Sequence, residues 1–234
     1  MTEIRPEVST EARAEIRTIA VIGSGILGRG IAQAAALGGY RTILEDLMPN
    51  ALRKAETEIR ANLDQAVELG TISAAEAGAA FSRLEFADSI DQAARQADLV
   101  IEAVPDEMES KMEIFIMLDK FCRPSTILAA STSSLSVTEI ASVTYRAKQC
   151  VGMKFCNPVH KMKRLEIVRA RETGDETLFT VAEVGKRMGK EVVLIEEARE
   201  PLGSVARELE AIRAAAKHDY PVDDLADGFV PNRS

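Results

Sequence analysis

Apolar residues along this chain alternate between short β-branched runs and longer stretches with helical spacing. Thr18 to Ile22 is a continuous apolar run, which is typical of a strand buried on both faces of a parallel sheet. An Ala- and Leu-rich stretch follows it and indicates a helix. Between the two lies Gly23-Ser24-Gly25-Ile26-Leu27-Gly28, so three glycines occupy a strand-to-helix turn.

The three glycines have the spacing of a dinucleotide-binding turn. Gly23 would allow the tight turn, Gly25 would let a pyrophosphate approach the backbone, and Gly28 would let the helix pack closely on the strand. Bound phosphates would meet the N–H groups at the helix N-terminus. A second strand ends in Asp46, about 20 residues further on, where a ribose 2′-hydroxyl is held. Because this acid would repel a 2′-phosphate, we expect NAD rather than NADP.

The rest of the chain continues the alternation of strand and helix. Helices are predicted from Pro49 to the residue before Gly70, from the capping signal Ser73/Glu76, over 89–97 and 108–121, from Ser136/Glu139, and from Thr173/Glu176 to Gly189. Strands are predicted over 41–46, 84–86, 97–105, 125–130, 150–155, 165–169 and 191–195. This order predicts an α/β fold of the Rossmann type, with a doubly wound, mainly parallel sheet and its ligand at the carboxyl ends of the strands.

The pattern divides the chain into three parts. Residues 1–17 form a polar N-terminal tail, residues 18–197 an NAD-binding Rossmann domain, and residues 198–234 a short helical or irregular segment. That last segment contains one amphipathic helix and a polar tail, which are too short for a second domain.

Composition excludes several classes of partner. A net charge of −8 argues against nucleic acid, which is bound mainly by clustered Lys and Arg. The sequence shows neither a signal peptide nor an apolar run of bilayer length, so we expect a cytoplasmic protein with no membrane contact. Cys122, Cys150 and Cys156 match no metal-binding spacing and are interpreted as buried thiols. The chain has only two histidines, His160 and His218, so a site with several histidine ligands is not available and we expect no metal site.

Four segments in order resemble the NAD-binding domain of the L-3-hydroxyacyl-CoA dehydrogenase family. They are the glycine turn, Asp98 to Pro105, Ser131 to Leu135, and Gly152 to Met162. The resemblance covers residues 17 to 197. It implies hydride transfer between a nicotinamide and a 3-hydroxyacyl or 3-oxoacyl thioester, carried by CoA or a carrier protein, in fatty acid metabolism.

The resemblance also implies a role for individual residues. Ser133 matches the serine that hydrogen-bonds the reacting oxygen, Glu166 matches the glutamate that orients the catalytic histidine, and Asn157 lies in the loop beside the reacting centre. The catalytic histidine itself is replaced by Lys154, which completes the candidate catalytic set. The implied cofactor contacts are Gly23, Ser24, Gly25, Ile26, Leu27, Gly28, Asp46, Ala103, Val104, Asp106 and Lys111.

Lys154 leaves two interpretations of function open. An unperturbed lysine has a pKa of about 10.4, so Lys154 would be a poor general base at neutral pH. As a cation it could instead protonate and stabilise a developing alkoxide, which favours the reduction direction. His160 matches a non-catalytic histidine and is predicted to be a loop residue. The chain is therefore either an NAD-dependent oxidoreductase or an NAD-binding module with little catalysis and a binding or regulatory role.

The resemblance further implies an all-helical domain after the cofactor domain. Asp227 to Ser234 is similar to the segment that leads into that domain, and Pro201 to Arg207 is a fainter match. The family counterpart of Asn232 touches substrate. We expect this chain to lack the helical domain, to expose an apolar surface in its place, and to form a homodimer or bind a helical partner.

Overall fold

The computed structural model describes residues 15–197. Within this range seven α-helices surround one eight-stranded sheet. The strands are β1 (Thr18–Ile22), β2 (Arg41–Glu45), β3 (Leu84–Ala87), β4 (Leu99–Glu102), β5 (Ile127–Ala130), β6 (Cys150–Phe155), β7 (Arg164–Arg169) and β8 (Glu191–Glu196). The helices are α1 (Ile26–Leu37), α2 (Pro49–Glu68), α3 (Ala74–Phe81), α4 (Ile90–Ala94), α5 (Met108–Phe121), α6 (Val137–Ser142) and α7 (Asp175–Arg187). The predicted C-terminal helix, both junction segments, His218 and Asn232 lie outside the described residues.

The sheet has the predicted doubly wound, mainly parallel topology. Its strand order is β3-β2-β1-β4-β5-β6-β7-β8. Every neighbouring pair is parallel except β6 and β7, which run antiparallel. The chain winds outward from β1 in one direction and from β4 in the other, so a crevice opens at the carboxyl ends of these two strands.

The hydrophobic patterns account for the packing. All positions of β1 and of β4 are buried. Their apolar residues predict this burial, whereas that of the polar Thr18 and the charged Glu102 does not follow from the pattern. In α2 the buried residues are Leu52, Ala55, Ile59 and Leu63, which share one face at helical spacing. The apolar face of α2 thus packs against the core, and its charged face is left to solvent.

Several local predictions are wrong. The helix predicted over 89–97 ends at Ala94, and the strand predicted over 97–105 is limited to Leu99–Glu102. The predicted capping box at Thr173 is absent, because Gly174 is the N-cap of α7. The Thr173 hydroxyl instead donates to the Cys150 carbonyl oxygen at 2.7 Å and accepts from the Ala170 N–H at 2.9 Å. Its side chain therefore ties β6 to the end of β7.

The three cysteines form no disulfide, and only two of them are buried as predicted. Burial raises the pKa of Cys122 to about 11 and that of Cys150 to about 12, so both remain thiols at neutral pH. Cys156 is half-buried, because it lies in the loop after β6 rather than in the sheet.

The predicted capping box at the start of α3 is confirmed and provides a stability test. The Ser73 hydroxyl accepts from the Glu76 N–H at 3.2 Å, and the Glu76 carboxylate accepts from the Ser73 N–H at 2.7 Å. We expect Ser73→Ala to lower the free energy of unfolding by about 1 kcal/mol. In thermal unfolding the midpoint should fall by about 2–4 °C. The matched control is Ser89→Ala, since Ser89 is the N-cap of α4 but makes no capping hydrogen bond among the described residues. An equal loss in both variants would contradict the prediction.

One edge of the sheet exposes apolar side chains. Val193 and Leu194 of β8 are 37% and 50% exposed. An exposed apolar edge is compatible with the expected docking surface, but the occupant of that surface stays a prediction. None of the described helices is both long and apolar enough to cross a membrane.

Candidate functional site

The glycine turn has the geometry that a dinucleotide requires. Gly23 has a φ of 97°, a left-handed conformation that glycine adopts without strain, and its N–H donates to the Glu45 carbonyl oxygen at 2.8 Å. A Cβ added at Gly28 would lie 1.8 Å from the Gly23 carbonyl oxygen, so only glycine fits there. A Cβ added at Gly25 would meet no described atom within 4 Å. The open side of the turn at the start of α1 therefore fits a pyrophosphate group.

Asp46 is held in place by the glycine turn. Its Oδ2 accepts from the Ser24 N–H at 2.9 Å and from the Ser24 hydroxyl at 2.7 Å, and its Oδ1 accepts from the Met48 N–H at 2.9 Å. Burial favours a higher pKa for Asp46, but these hydrogen bonds outweigh it and lower the pKa below its usual value. A carboxylate has about four acceptor positions, so the ionised Asp46 retains capacity for a ribose hydroxyl.

A cleft of about 360 Å³ lies at the carboxyl ends of β1, β4, β5 and β6. Eight of the sequence-predicted site residues line it: Gly25, Ile26, Leu27, Ala103, Val104, Asp106, Ser133 and Lys154. Four further residues complete its walls, namely Pro105, Ser131, Thr132 and Phe155. The topology therefore brings the glycine turn and two of the candidate catalytic residues to one space.

Ser133 and Asp106 both line the cleft and are hydrogen-bonded to each other. Its hydroxyl and its N–H both donate to Asp106 Oδ2, each at 3.1 Å. Burial favours a higher pKa for Asp106, but hydrogen bonds from Thr132 and Ser133 and the charge of Lys111 outweigh it, so the pKa is lowered. Asp106 is thus an ionised acceptor that fixes the orientation of the Ser133 hydroxyl.

Lys111 is implied by the resemblance to be a cofactor contact, and the structure places it beneath the cleft. Its side chain is 0% exposed, and its ammonium lies 2.8 and 2.9 Å from the two carboxylate oxygens of Glu102, which is also 0% exposed. The same ammonium donates to the carbonyl oxygens of Val104 at 3.2 Å and Ser131 at 3.1 Å. This buried pair therefore connects the loop after β4 to the loop after β5.

Lys154 and Glu166 meet because β6 and β7 pair antiparallel. The two residues are register partners, and register partners place their side chains on the same face of a sheet. Lys154 Nζ lies 3.4 Å from Glu166 Oε2, and Arg164 Nη2 lies 2.8 Å from Glu166 Oε1. The hydrogen bond from Arg164, followed by the charge of Lys154, lowers the pKa of Glu166. Glu166 is thus an anion shared by two cations.

Asn157 and His160 lie outside the cleft. Both are exposed in the loop between β6 and β7, as predicted for His160. Partial burial of its ring and the charges of Lys161 and Lys190 lower the pKa of His160, which favours the neutral imidazole. The loop is fastened by Lys190, whose ammonium donates to the carbonyl oxygens of Val159 and Met162.

Sequence reasoning missed Arg164, Glu102 and Glu45. Arg164 stands two residues before Glu166, which places both side chains on one face of β7. Glu102 and Glu45 each end an apolar strand, and an acid at such a position indicates a buried carboxyl with a partner or a shifted pKa. No group of three or more His, Cys, Asp or Glu side chains within the described range could hold a metal ion.

The glycine turn, Asp46 directly after β2 and the cleft at the switch point define a dinucleotide-binding Rossmann domain. The family model described as "3-hydroxyacyl-CoA dehydrogenase, NAD binding domain" matches residues 18–198. The chain belongs to the 3-hydroxyacyl-CoA dehydrogenase family, and the matched part is its NAD-binding domain.

Individual relatives agree with this family. The probable 3-hydroxybutyryl-CoA dehydrogenase of Bacillus subtilis is 38% identical over 183 residues, which cover 78% of this chain and 63% of the relative. The 3-hydroxybutyryl-CoA dehydrogenase of Clostridioides difficile is 37% identical over 180 residues, with coverages of 77% and 64%. The solved structure of (S)-3-hydroxybutyryl-CoA dehydrogenase from Ralstonia eutropha has a TM-score of 0.76 and 30% identity, covering 90% of this chain and 75% of that one. The chain spans less than two thirds of the length of these curated relatives.

Proposed function

We propose that this chain takes part in NAD-dependent hydride transfer between a 3-hydroxyacyl and a 3-oxoacyl thioester, carried by CoA or by a carrier protein. The observation that carries the proposal is that Ser133 and Lys154 line the same cleft as the glycine turn. When bound, the cofactor supplies or accepts the hydride at its nicotinamide ring. The relatives' names support an acyl thioester as substrate.

We infer that reduction is the favoured direction. The reaction consumes a 3-oxoacyl thioester, NADH and one proton, and yields a 3-hydroxyacyl thioester and NAD⁺. The Lys154 ammonium donates the proton to the carbonyl oxygen as C3 becomes tetrahedral. Ser133 hydrogen-bonds the same oxygen after its hydroxyl turns away from Asp106. Glu166 compensates the positive charge of Lys154, whose side chain is 39% exposed and can regain its proton from water.

A second candidate is an NAD-binding module with little or no turnover. The Ser133 hydroxyl donates to Asp106, so this proton is already used and is not available to a substrate oxygen without a rearrangement. This hydrogen bond, together with Lys154 at the position of the family's catalytic histidine, supports a binding or regulatory role.

Binding and turnover assays separate the two candidates. We expect NADH to bind at least about tenfold more tightly than NADPH in a fluorescence titration, because Asp46 repels a 2′-phosphate. We expect acetoacetyl thioesters of CoA or a carrier protein to be reduced with consumption of NADH. Ser133→Ala is the control, and it should lose turnover while keeping its NADH affinity. NADH binding without turnover on any thioester would favour the binding module, and tighter binding of NADPH would contradict the cofactor assignment.

A further inference from the structure

Glu45 is a buried acid that the proposed reaction does not use. It is the last residue of β2, it is 1% exposed, and its register neighbours on the adjoining strands are the apolar residues Ile22 and Ala87. Its Oε1 has no hydrogen-bond partner among the described residues. A carboxyl group in such surroundings avoids the cost of burial by remaining protonated.

The charges around Glu45 are negative or already paired. Asp46 follows it directly, and Asp88 follows β3, whose carboxyl end lies beside that of β2 because the two strands are parallel. Burial, then the charge of Asp46, then that of Asp88 raise the pKa of Glu45 to about 7. The cations of the surrounding elements pair with other acids: Arg41 with Glu85, Arg95 with Asp91 on α4, Lys111 with Glu102, and Arg29 with Glu58. None of these four cations is therefore free to compensate an ionised Glu45.

Glu45 adjoins the cofactor turn through its backbone. Its carbonyl oxygen accepts the Gly23 N–H at 2.8 Å, and the next residue, Asp46, holds Ser24. The pyrophosphate that this turn fits is an anion. An ionised Glu45 would repel this anion through the poorly screened interior, whereas a protonated Glu45 would not.

We propose that Glu45 couples cofactor binding to protonation, so that the domain binds NADH tightly when this carboxyl is neutral and more weakly when it is ionised. The inference rests on the cofactor site of the proposed function and is independent of whether the chain turns over substrate. By linkage, NADH binding must in turn favour protonation of Glu45.

The test is the affinity for NADH between pH 6 and pH 9, measured by fluorescence titration. We expect the dissociation constant of the native chain to rise about tenfold over this range. Because the Glu45 pKa of about 7 would rise by about one unit on binding, calorimetry in two buffers of different ionisation enthalpy should show uptake of about half a proton near pH 7.5. In Glu45→Gln, which keeps the shape but cannot ionise, the affinity should be independent of pH and equal to that of the native chain at pH 6.

A matched control and a second variant keep the test decisive. Asp88→Asn removes the exposed acid after β3. The affinity for NADH should still depend on pH in this variant, but the change should occur at lower pH because the charge of Asp88 no longer raises the pKa of Glu45. Glu45→Val, which matches the apolar neighbours, should behave as Glu45→Gln does. If the dissociation constant for NADH of the native chain does not change with pH, or if Glu45→Gln keeps the pH dependence, the inference is wrong while the cofactor site still stands. Failure to bind NADH at any pH would overturn the cofactor site as well.

Discussion

Replacing Lys154 by histidine is expected to raise the rate of 3-hydroxyacyl thioester oxidation by about 100-fold, the usual scale of a positioned general base. An imidazole with a pKa of about 6.5 can accept the proton of the substrate hydroxyl near neutral pH, which a charged lysine cannot. Glu166, opposite position 154 on β7, remains to orient the ring. The measurement is the initial rate of NADH formation from a 3-hydroxybutyryl thioester at pH 7 to 8.

Two controls accompany this prediction. Lys154→Ala should abolish reduction if the lysine is the working acid, and NADH affinity should change little in either variant because the glycine turn and Asp46 are untouched. Arg164 binds the Glu166 oxygen Oε1 and leaves Oε2 for residue 154. If Lys154→His binds NADH but shows no gain in oxidation, the binding-module interpretation becomes the better one.

Replacing Lys111 by methionine is expected to lower the free energy of unfolding by about 3–5 kcal/mol. The change leaves the fully buried Glu102 carboxylate without its cation and removes the donor that joins the loops after β4 and β5. A buried carboxyl that loses its cation either stays charged or takes up a proton and loses its charge-assisted hydrogen bonds, and both outcomes destabilise the fold. Urea unfolding followed by circular dichroism measures the loss.

The double variant Glu102→Leu/Lys111→Met tests the cause of this loss. It removes both charges and should recover most of the stability, because an apolar pair of similar volume often replaces a buried ion pair at little cost. Lys186→Met is the matched control: its pair with Glu183 is exposed, so its loss should stay below about 1 kcal/mol. A small effect of Lys111→Met, or equal effects of both lysine variants, would refute the prediction.

Most elements of the fold were predictable, because each depends on a local pattern. The apolar runs of β1 and β4 and the helical spacing of α2 identify these elements without knowledge of their neighbours. Thr173 shows the limit of local reasoning. Its sequence signal is that of a helix cap, yet its hydroxyl bonds to Cys150 on a different strand. A tertiary hydrogen bond there replaces the local one.

Part of the candidate site can also be identified from the sequence. The residues of the glycine turn are apparent from their spacing. The lysine at position 154, where the family has its catalytic histidine, is apparent from the family resemblance. The position of Lys111 beneath the cleft was not apparent, because the sequence does not show that Glu102 lies within reach of its ammonium. The sharing of Glu166 between Lys154 and Arg164 likewise depends on the antiparallel pairing of β6 with β7.

The sequence by itself determined the succession of strands and helices along the chain, the glycine turn with Asp46, and the family. These properties follow from periodicity and from residue types at fixed spacing, which are written along the chain. Only the tertiary structure decided which charges are paired and which are buried alone, as for Lys111 and Glu45. The energy of a charge depends on the dielectric constant of its surroundings and on the groups that face it from neighbouring strands. Both are set by the order of the strands within the sheet and by their register, rather than by the residues next to it in the sequence.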